Sequence, residues 1–242
     1  MAPVVSLRAA VALAGRFPAL AGVDLTLEQG EVVVVVGPNG AGKTSLLRAC
    51  AGLLPVTSGA ATVLGVDLTE DHTAVRRYVG LLGHAAPLYD ELSAAENVRF
   101  AVRALGLPTA NADDALVRLG LIGRLRTTPA SRLSAGQRRR VALAALIARR
   151  PALWLLDEPH AGLDAPTRDL LGRLIGEAVH DGASVLLSSH EPALSVPLAD
   201  RVVSMAGGRV TGEEKGGRRA ALAAVPSTVA AEAPTVEAHH VA

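Results

Sequence analysis

The segment GPNGAGKT at residues 37–44 constrains the fold of this chain more than any other stretch, because it fits the pattern G-x-x-x-x-G-K-[ST]. It follows a run of five valines, residues 32–36, of the kind that forms buried parallel strands. Residues 45–51 after it are mostly good helix formers. A glycine-rich turn between a strand and a helix lets backbone N–H groups point at a phosphate, and the helix N-terminus adds positive partial charge. The segment therefore predicts nucleotide binding, in which Lys43 reaches the β- and γ-phosphates and the Thr44 hydroxyl ligates Mg²⁺.

Composition limits the remaining possibilities. The chain has 242 residues, of which 50% are hydrophobic, so it can bury a sizeable core. Its formal net charge of +1 gives no reason to expect nucleic acid as a partner. The single cysteine, Cys50, excludes an internal disulfide and fits a reducing compartment, and we expect a buried, unreactive thiol. Residues 1–14 do not fit a signal peptide, and no apolar run is long enough to span a bilayer, so we expect that the chain does not cross a membrane by itself.

Strands alternate with helices along the chain, which predicts an α/β fold with a mostly parallel sheet covered on both faces and an antiparallel β portion. Residues 85–150 have a helical pattern, including the capping box Ser93-Ala94-Ala95-Glu96, and predict an α-helical subdomain inserted between strands. From residue 213 to residue 242 the sequence has no apolar periodicity, so we expect a folded region over 1–212 and a flexible C-terminal tail.

Polar residues follow several of the predicted strands. In a parallel sheet the ligand lies at the carboxyl ends of the strands, so Thr44, Asp157, Glu158 and His190 are expected to converge at one edge. Asp157 is placed to hold the metal ion together with Thr44, and Glu158 is placed to act as a general base on the attacking water.

The segment LSAGQ, residues 133–137, opens a predicted helix. Ser134 and Gly136 at a helix N-terminus form a second anion site, although a simple serine N-cap is the alternative interpretation. The arginines that follow, residues 138–140, are expected to form a solvated helix face.

At this point the chain resembles the ATP-binding cassette (ABC) ATPases over about residues 4–211. LSAGQRRRVALA is similar to their signature sequence, LWLLDEP and AGLD are similar to their Walker B segment and D-loop, and His190 in LLSSHEP matches their switch histidine. The resemblance implies a phosphate-loop NTPase core of the RecA-like type with the helical subdomain inserted in it.

The resemblance also implies a role for each matching residue. The phosphates would be wrapped by Gly37, Pro38, Asn39, Gly40, Ala41, Gly42, Lys43 and Thr44, with Ser45 nearby. Glu158 would activate water and His190 would contact the γ-phosphate. In this family two cassettes pair head to tail, so Ser134, Gly136 and Gln137 would close on the ATP held by a second copy or another ABC ATPase, with Asp164 at the dimer contact.

The sequence departs from the family pattern at two positions. His84 stands where the glutamine of the family's Q-loop is usual, and this histidine either senses the γ-phosphate or has no role. Ala14 stands where an aromatic residue usually stacks on adenine, and Phe17 is a candidate substitute.

Within the family, Gly83-His84, the LSAGQ variant and Trp154 resemble the ATPases of haem exporters in cytochrome c maturation, although Ala85 replaces a usual glutamine. This resemblance implies a peripheral subunit at the cytoplasmic face of the cell membrane, which powers a separate integral membrane permease that docks around residues 84–96. The alternatives are the ATPase of a drug or multidrug exporter and, more distantly, a phosphate-loop small-molecule kinase, which has no reason to carry LSAGQ and AGLD. A chromosome or DNA-repair ATPase would need a long coiled-coil insertion, and none is present between Thr44 and Ser134.

Overall fold

The computed structural model describes residues 2–83 and 87–218 of the chain. His84 and the predicted tail from residue 219 onward lie outside the described residues.

Ten strands and seven α-helices are formed by the described residues. The strands are β1 Val5–Ala14, β2 Phe17–Leu27, β3 Val32–Val36, β4 Val56–Val63, β5 Val66–Asp67, β6 Val79–Leu82, β7 Leu153–Asp157, β8 Ser184–Ser189, β9 Arg201–Ala206 and β10 Arg209–Lys215. The helices are α1 Lys43–Cys50, α2 Ala94–Arg103, α3 Ala110–Arg118, α4 Arg124–Thr127, α5 Ala135–Arg149, α6 Ala165–His180 and α7 Pro192–Ser195.

The central sheet has six strands in the order β10-β9-β3-β8-β7-β6. Five of them, β9, β3, β8, β7 and β6, are parallel, and β10 pairs antiparallel with β9 through the two-glycine turn at residues 207–208. β3 lies between β8 and β9, with Val34 opposite Leu187 on one side and Val202 on the other. The predicted α/β class with a mostly parallel sheet is confirmed.

A second sheet of four antiparallel strands, in the order β2-β1-β4-β5, forms the antiparallel portion of the fold. β2 and β3 follow each other in the sequence but belong to different sheets, because the turn at residues 28–31 separates them. β4 begins at Val56, and its first half pairs with β1 although its outward residues are small or polar.

The alternating side chains of the central strands divide the interior into two cores. Val32 and Val34 pack with α2, α3, α5 and α6 on one face of the sheet. Val33 and Val35 pack with α1 and the antiparallel sheet on the other face. Because both faces are covered, β3 is apolar without alternation, as parallel strands in α/β proteins are.

The helices α2 to α5 lie between β6 and β7 in the chain, and α2 and α3 pack against α5. α2 begins at the predicted capping box: the Ser93 hydroxyl accepts from the Glu96 N–H at 3.3 Å, and the Ser93 N–H donates to the Glu96 carboxylate at 2.8 Å. Among the described residues, no helix is long and apolar enough to span a bilayer.

The chain remains regular past residue 212, where we expected the folded part to end. β10 continues to Lys215, and Arg218 pairs with Asp200 at 2.7 Å. Arg201 on β9 binds Glu213 at 2.8 Å, and this cross-strand ion pair supports the end of β10. The prediction of a tail from residue 213 was therefore wrong for residues 213–218, because charged edge-strand residues give no apolar periodicity.

Candidate active site

The phosphate loop connects β3 to α1 in the predicted arrangement. Gly37 and Gly42 have φ angles of 150° and 104°. A Cβ on Gly42 would lie 2.8 Å from the carbonyl oxygen of Ala19, and one on Gly37 would overlap the carbonyl oxygen of Met205. Only glycine fits these two positions, because the loop is pressed against β2 and β9.

The loop borders a cavity of about 270 Å³ at the N-terminus of α1. The residues that line it are Ala19, Asn39, Gly40, Ala41, Gly42, Lys43, Thr44, Ser45, Asp157 and Glu158. The Lys43 ammonium group donates to the carbonyl oxygens of Gly37 at 2.7 Å and Pro38 at 3.1 Å, so the lysine is folded against its own loop. No side chain caps the N-terminus of α1, which leaves first-turn N–H groups available to an anion.

Thr44 and Asp157 meet at the edge of the sheet. The Thr44 hydroxyl donates to the two Asp157 carboxylate oxygens at 3.2 and 3.0 Å. Ser188, near the end of β8, donates to the same carboxylate at 2.6 Å. Asp157 is buried, so these two hydroxyls hold a carboxylate that is otherwise shielded from water.

Glu158 lies directly beyond β7 and is bound to His190. Its carboxylate accepts from the His190 backbone N–H at 3.0 Å and lies 2.6 Å from His190 Nδ1. An ionised carboxylate only accepts hydrogen bonds, so Nδ1 carries a proton in this pair. The Glu158 N–H donates to the Ser188 hydroxyl at 3.1 Å, and its φ of 48° is unusual for a residue other than glycine.

The arginines at 138–140 do not form the solvated face that we expected. Arg139 is buried, and its guanidinium donates to the carbonyl oxygens of Asp157 at 3.1 Å, Glu158 at 3.0 Å and Gly83. Burial lowers the pKa of Arg139, and the nearby Asp157 carboxylate partly offsets that effect. A repeated arginine in the sequence does not reveal which side chain turns inward, so the prediction was wrong for Arg139.

The signature segment forms the N-terminus of α5. The Ser134 hydroxyl accepts from the Gln137 N–H at 3.2 Å, and the Gln137 side chain accepts from the Ser134 N–H at 2.9 Å. A Cβ on Gly136 would lie 3.5 Å from the carbonyl oxygen of Gly162, so the helix start approaches the D-loop of its own chain. Ser134, Gly136 and Gln137 are not among the residues that line the phosphate-loop cavity.

Asp164 forms the N-cap of α6. Its carboxylate accepts from the Thr167 N–H at 3.1 Å, and hydrogen bonds to Thr167 lower its pKa. Like the signature residues, Asp164 does not line the phosphate-loop cavity.

The hairpin between β1 and β2 lies beside the loop. Ala14 pairs with Phe17 across the turn, and the Phe17 side chain is 79% exposed. Ala19, two residues after Phe17 on β2, lines the phosphate-loop cavity.

Two residues of the site were missed by sequence reasoning. Ser188 had a weak signal, since it is a polar residue that follows the apolar middle of β8, near the end of the strand at the site. Arg139 had none, because the carbonyls of Gly83, Asp157 and Glu158, to which it donates, are distant in the sequence. No cluster of three or more metal-ligating side chains occurs in residues 2–83 and 87–218.

A phosphate loop at the end of β3, a carboxylate pair at the end of β7 and a serine-capped helix inserted between β6 and β7 define an ATP-binding cassette. Residues 20–161 match the family described as ABC transporter, and the chain belongs to this family as one of its ATP-hydrolysing ATPases.

Similar curated proteins and solved structures agree with this family. The chain is 40% identical over 178 residues to the cytochrome c biogenesis ATP-binding export protein CcmA of Cupriavidus pinatubonensis, which covers 73% of this chain and 78% of the relative. It is 38% identical to the sulfate/thiosulfate import ATP-binding protein CysA of Methylococcus capsulatus, over 81% of this chain and 58% of the relative. A dimeric post-hydrolysis structure of the ATP-binding cassette MJ0796, bound to ADP and Pi, superposes with a TM-score of 0.80 at 26% identity, covering 87% of this chain and 98% of that one.

Proposed function

We propose that this ABC ATPase powers a separate integral membrane subunit in an exporter of the haem or cytochrome c biogenesis type. Support comes from the CcmA proteins, which match this chain at 40–42% identity and are covered over 78–84% of their own length. The import ATPases match at 37–38% identity over only 53–58% of theirs. A peripheral position at the cytoplasmic face of the membrane is part of the same proposal.

The nucleotide would lie in the phosphate-loop cavity. The backbone N–H groups of residues 37–44 would surround its phosphates, and Lys43 would exchange its carbonyl contacts for phosphate oxygens. The Thr44 hydroxyl and the Asp157 carboxylate, 3.0 Å apart, fit Mg²⁺, which is usually held in NTPases by one or two side-chain oxygens plus substrate phosphates. The ion would neutralise charge on the β- and γ-phosphates.

Hydrolysis would proceed by attack of water on the γ-phosphorus. The water oxygen forms the new bond to phosphorus, the bond to the bridging oxygen breaks, and the proton of the water passes to the Glu158 carboxylate. The observation that carries this assignment is the position of Glu158: its carboxylate borders the cavity and is held by His190. His190 would then contact the γ-phosphate as well.

The test of this assignment is Glu158→Gln. General-base catalysis contributes about 10²–10⁴-fold, so we expect the hydrolysis rate to fall by at least about 10²-fold while ATP binding remains. Glu177→Gln is the matched control, because Glu177 lies near the C-terminal end of α6, pairs with Arg118 and does not line the phosphate-loop cavity. Turnover of Glu158→Gln at the parental rate would show that another group is the base.

A second copy would complete the site. Ser134, Gly136 and Gln137 lie outside the cavity of their own chain, and the similar cassette MJ0796 forms a dimer. In a head-to-tail pair, the N-terminus of α5 would close on the γ-phosphate held by the other copy, with Asp164 at the contact. Closure follows because ATP binds the closed state more tightly than the open one.

The membrane subunit would dock in a groove of about 230 Å³ beside β6 and α2. Its lining includes Leu82, Leu88, Tyr89, Phe100, Ala101 and Leu146. Tyr89 and Phe100 pack edge to face at 4.8 Å between ring centres and remain 55% and 47% exposed. Exposed aromatic pairs of this kind are typical anchors for an apolar segment of a partner.

The exporter type is tested in cells. Deletion of the gene should abolish covalent haem attachment to c-type cytochromes, and the wild-type gene should restore it. Normal cytochromes together with new drug sensitivity would contradict the cytochrome c assignment and favour the drug-exporter alternative.

A further inference from the structure

Arg139 joins the ends of two parallel strands to the signature helix. It lies in the second turn of α5, and its buried guanidinium donates to the carbonyl oxygens of Asp157 and Glu158 after β7 and of Gly83 after β6. Three elements that are separate in the sequence therefore meet at one side chain. None of these acceptors is a side chain, so the contacts fix backbone positions.

The planar guanidinium is suited to this position. Its five N–H donors have a fixed fork geometry and can reach several carbonyl oxygens at once, which the single ammonium of a lysine cannot. Burying a charged group is unfavourable unless hydrogen bonds compensate, so a buried arginine that donates to several backbone carbonyls is expected where the backbone needs to be held.

The backbone that Arg139 holds is strained. Glu158 has a φ of 48°, and such a conformation persists only where surrounding contacts determine it. The Ser188 hydroxyl binds the Glu158 N–H at 3.1 Å, His190 binds the carboxylate, and Arg139 with the Ala161 N–H binds the carbonyl at 3.0 and 3.1 Å. Loss of Arg139 would remove its hydrogen bond from that carbonyl.

The other end of the connection is the N-terminus of α5. Ser134 and Gly136 lie five and three residues before Arg139, within the start of the same helix. A rigid helix that moves by a fraction of an ångström at its N-terminus moves the Arg139 stem by a similar amount.

We propose that Arg139 is a positioning residue that ties the base Glu158 to the helix whose N-terminus contacts the ATP of the second copy. The proposal rests on the proposed roles of Glu158 and of the signature segment. When the N-terminus of α5 contacts the ATP of the second copy, Arg139 then fixes the position of the Glu158 carbonyl in its own chain. The position of the Glu158 carboxylate follows from that of its backbone. Because Gly83 lines the docking groove, the same guanidinium also lies between that groove and the base.

Arg139→Met in the full-length chain tests the proposal. Arg139 does not itself line the phosphate-loop cavity, and its hydrogen bonds to the lining residues Asp157 and Glu158 go to their backbone carbonyls. We therefore expect KM for ATP to stay within about two-fold while kcat falls by about 10- to 100-fold, as misplacement of a catalytic group by about 1 Å costs. In the Glu158→Gln background, Arg139→Met should still form the ATP-bound dimer.

Arg149→Met is the matched control. Arg149 lies on the same helix, its pKa is also lowered by burial, and it donates to the Val79 carbonyl at 3.0 Å at the start of β6, away from the site. We expect a similar change in melting temperature for both variants but a normal kcat for Arg149→Met. Arg139→Lys is the conservative variant if Arg139→Met does not fold, and it should lose at least about five-fold in kcat because one ammonium cannot span both strand ends.

A kcat within two-fold of the parent for Arg139→Met, or for Arg139→Lys where only that variant folds, would overturn the proposal. Equal losses of kcat in Arg139→Met and Arg149→Met would also overturn it, since both would then reflect lost packing. A rise in KM with loss of the trapped dimer would show that Arg139 supports dimer formation and does not position the base. Failure of the proposed function can be distinguished from failure of the Arg139 proposal. It would be seen in the hydrolysis and dimer assays of the parent and of Glu158→Gln, in which Arg139 is unchanged.

Discussion

Glu158 shows which properties of a site residue can be predicted from the sequence and which cannot. Its identity and its place after an apolar strand are visible in the sequence, and its carboxylate lies at the cavity as the strand-end argument predicts. Its left-handed backbone is not visible in the sequence, because glutamate has no preference for that conformation. The contacts that hold it come from Ser188, His190 and Arg139, which lie 19 to 32 residues away along the chain.

The prediction that Arg139 is solvated was wrong for the same reason: contacts distant along the chain determine where its side chain lies. Three consecutive arginines on a helix point in different directions, and composition favours solvent for all of them. Which one turns inward depends on where the unpaired carbonyls at the strand ends lie, and that is a property of the tertiary structure. The positions of Thr44 and Asp157 were easier to predict from the sequence, since the loop motif fixes the first and the strand end fixes the second. The role of His84 stays a prediction, because it lies outside the described residues.

Phe17 is the residue we expect to stack on the base. It is 79% exposed and lies two residues before Ala19, which lines the cavity, and base–aromatic stacking contributes about 1–3 kcal/mol. Phe17→Ala should raise KM for ATP by about five- to ten-fold, with kcat changed less than about two-fold. Ile122→Ala, which also removes an exposed apolar side chain but in the helical region, is the control in the same steady-state assay. An unchanged KM would exclude Phe17 as the stacking residue.

Cys50 predicts a pH dependence of stability. Burial raises the pKa of its thiol from 9.0 to about 12, so the unfolded chain loses this proton at a lower pH than the native chain does. The contribution of the Cys50 thiol to the free energy of unfolding is fully present below pH 9. It is lost as the pH rises toward 12, by up to about 1.4 kcal/mol per pH unit.

Denaturant unfolding of the parent and of Cys50→Ala between pH 8 and 10 measures this slope. Above pH 9 the free energy of unfolding of the parent should fall faster with pH than that of the variant. The smaller alanine side chain changes the free energy of unfolding by an amount that does not depend on pH, so it does not affect this comparison. The native thiol should also resist alkylation at pH 8 until the chain unfolds. Parallel stability curves with rapid native alkylation would mean that the thiol is accessible.

At the scale of elements, the sequence predicted the helices better than the strand limits. The capping box at Ser93 and Glu96 is confirmed, because its signal is local: two side chains satisfy N–H groups within one turn. The short strand β5 and the first half of β4 have no clear signal in the sequence, since most of their residues are small or polar and the order comes from pairing, of β4 with β1 and of β5 with β4. The extension of β10 to Lys215 was missed for the same reason.

The docking groove belongs to this scale, because α2 supplies Phe100 and the segment before α2 supplies Tyr89. Phe100→Asp places a charge among apolar side chains and should abolish co-purification with the membrane subunit. Val117→Asp on α3 carries the same change at a site that is 58% exposed and should leave co-purification intact. Circular dichroism should show that both variants are folded. Full recovery of the membrane subunit with folded Phe100→Asp would place the contact elsewhere.

At the scale of the whole molecule, the fold separates two groups of functional residues. The phosphate loop, Asp157 and Glu158 line one cavity, whereas Ser134, Gly136 and Gln137 lie outside it. In the proposed function, a single copy would thus hold ATP without its signature helix against the γ-phosphate. The fold class was predictable because alternating strands and helices with a phosphate loop leave few topologies, but the separation of the two groups required the structure.

The central claim is that ATP is held between two copies, and the mass of the Glu158→Gln variant in solution tests it most directly. With ATP and Mg²⁺ the variant should sediment at twice the monomer mass, and it should return to the monomer mass without nucleotide. Ser134→Arg in the same background, which blocks the anion site at the start of α5, should bind ATP and remain monomeric. A Glu158→Gln chain that binds ATP but stays monomeric, even with its membrane subunit present, would contradict the account.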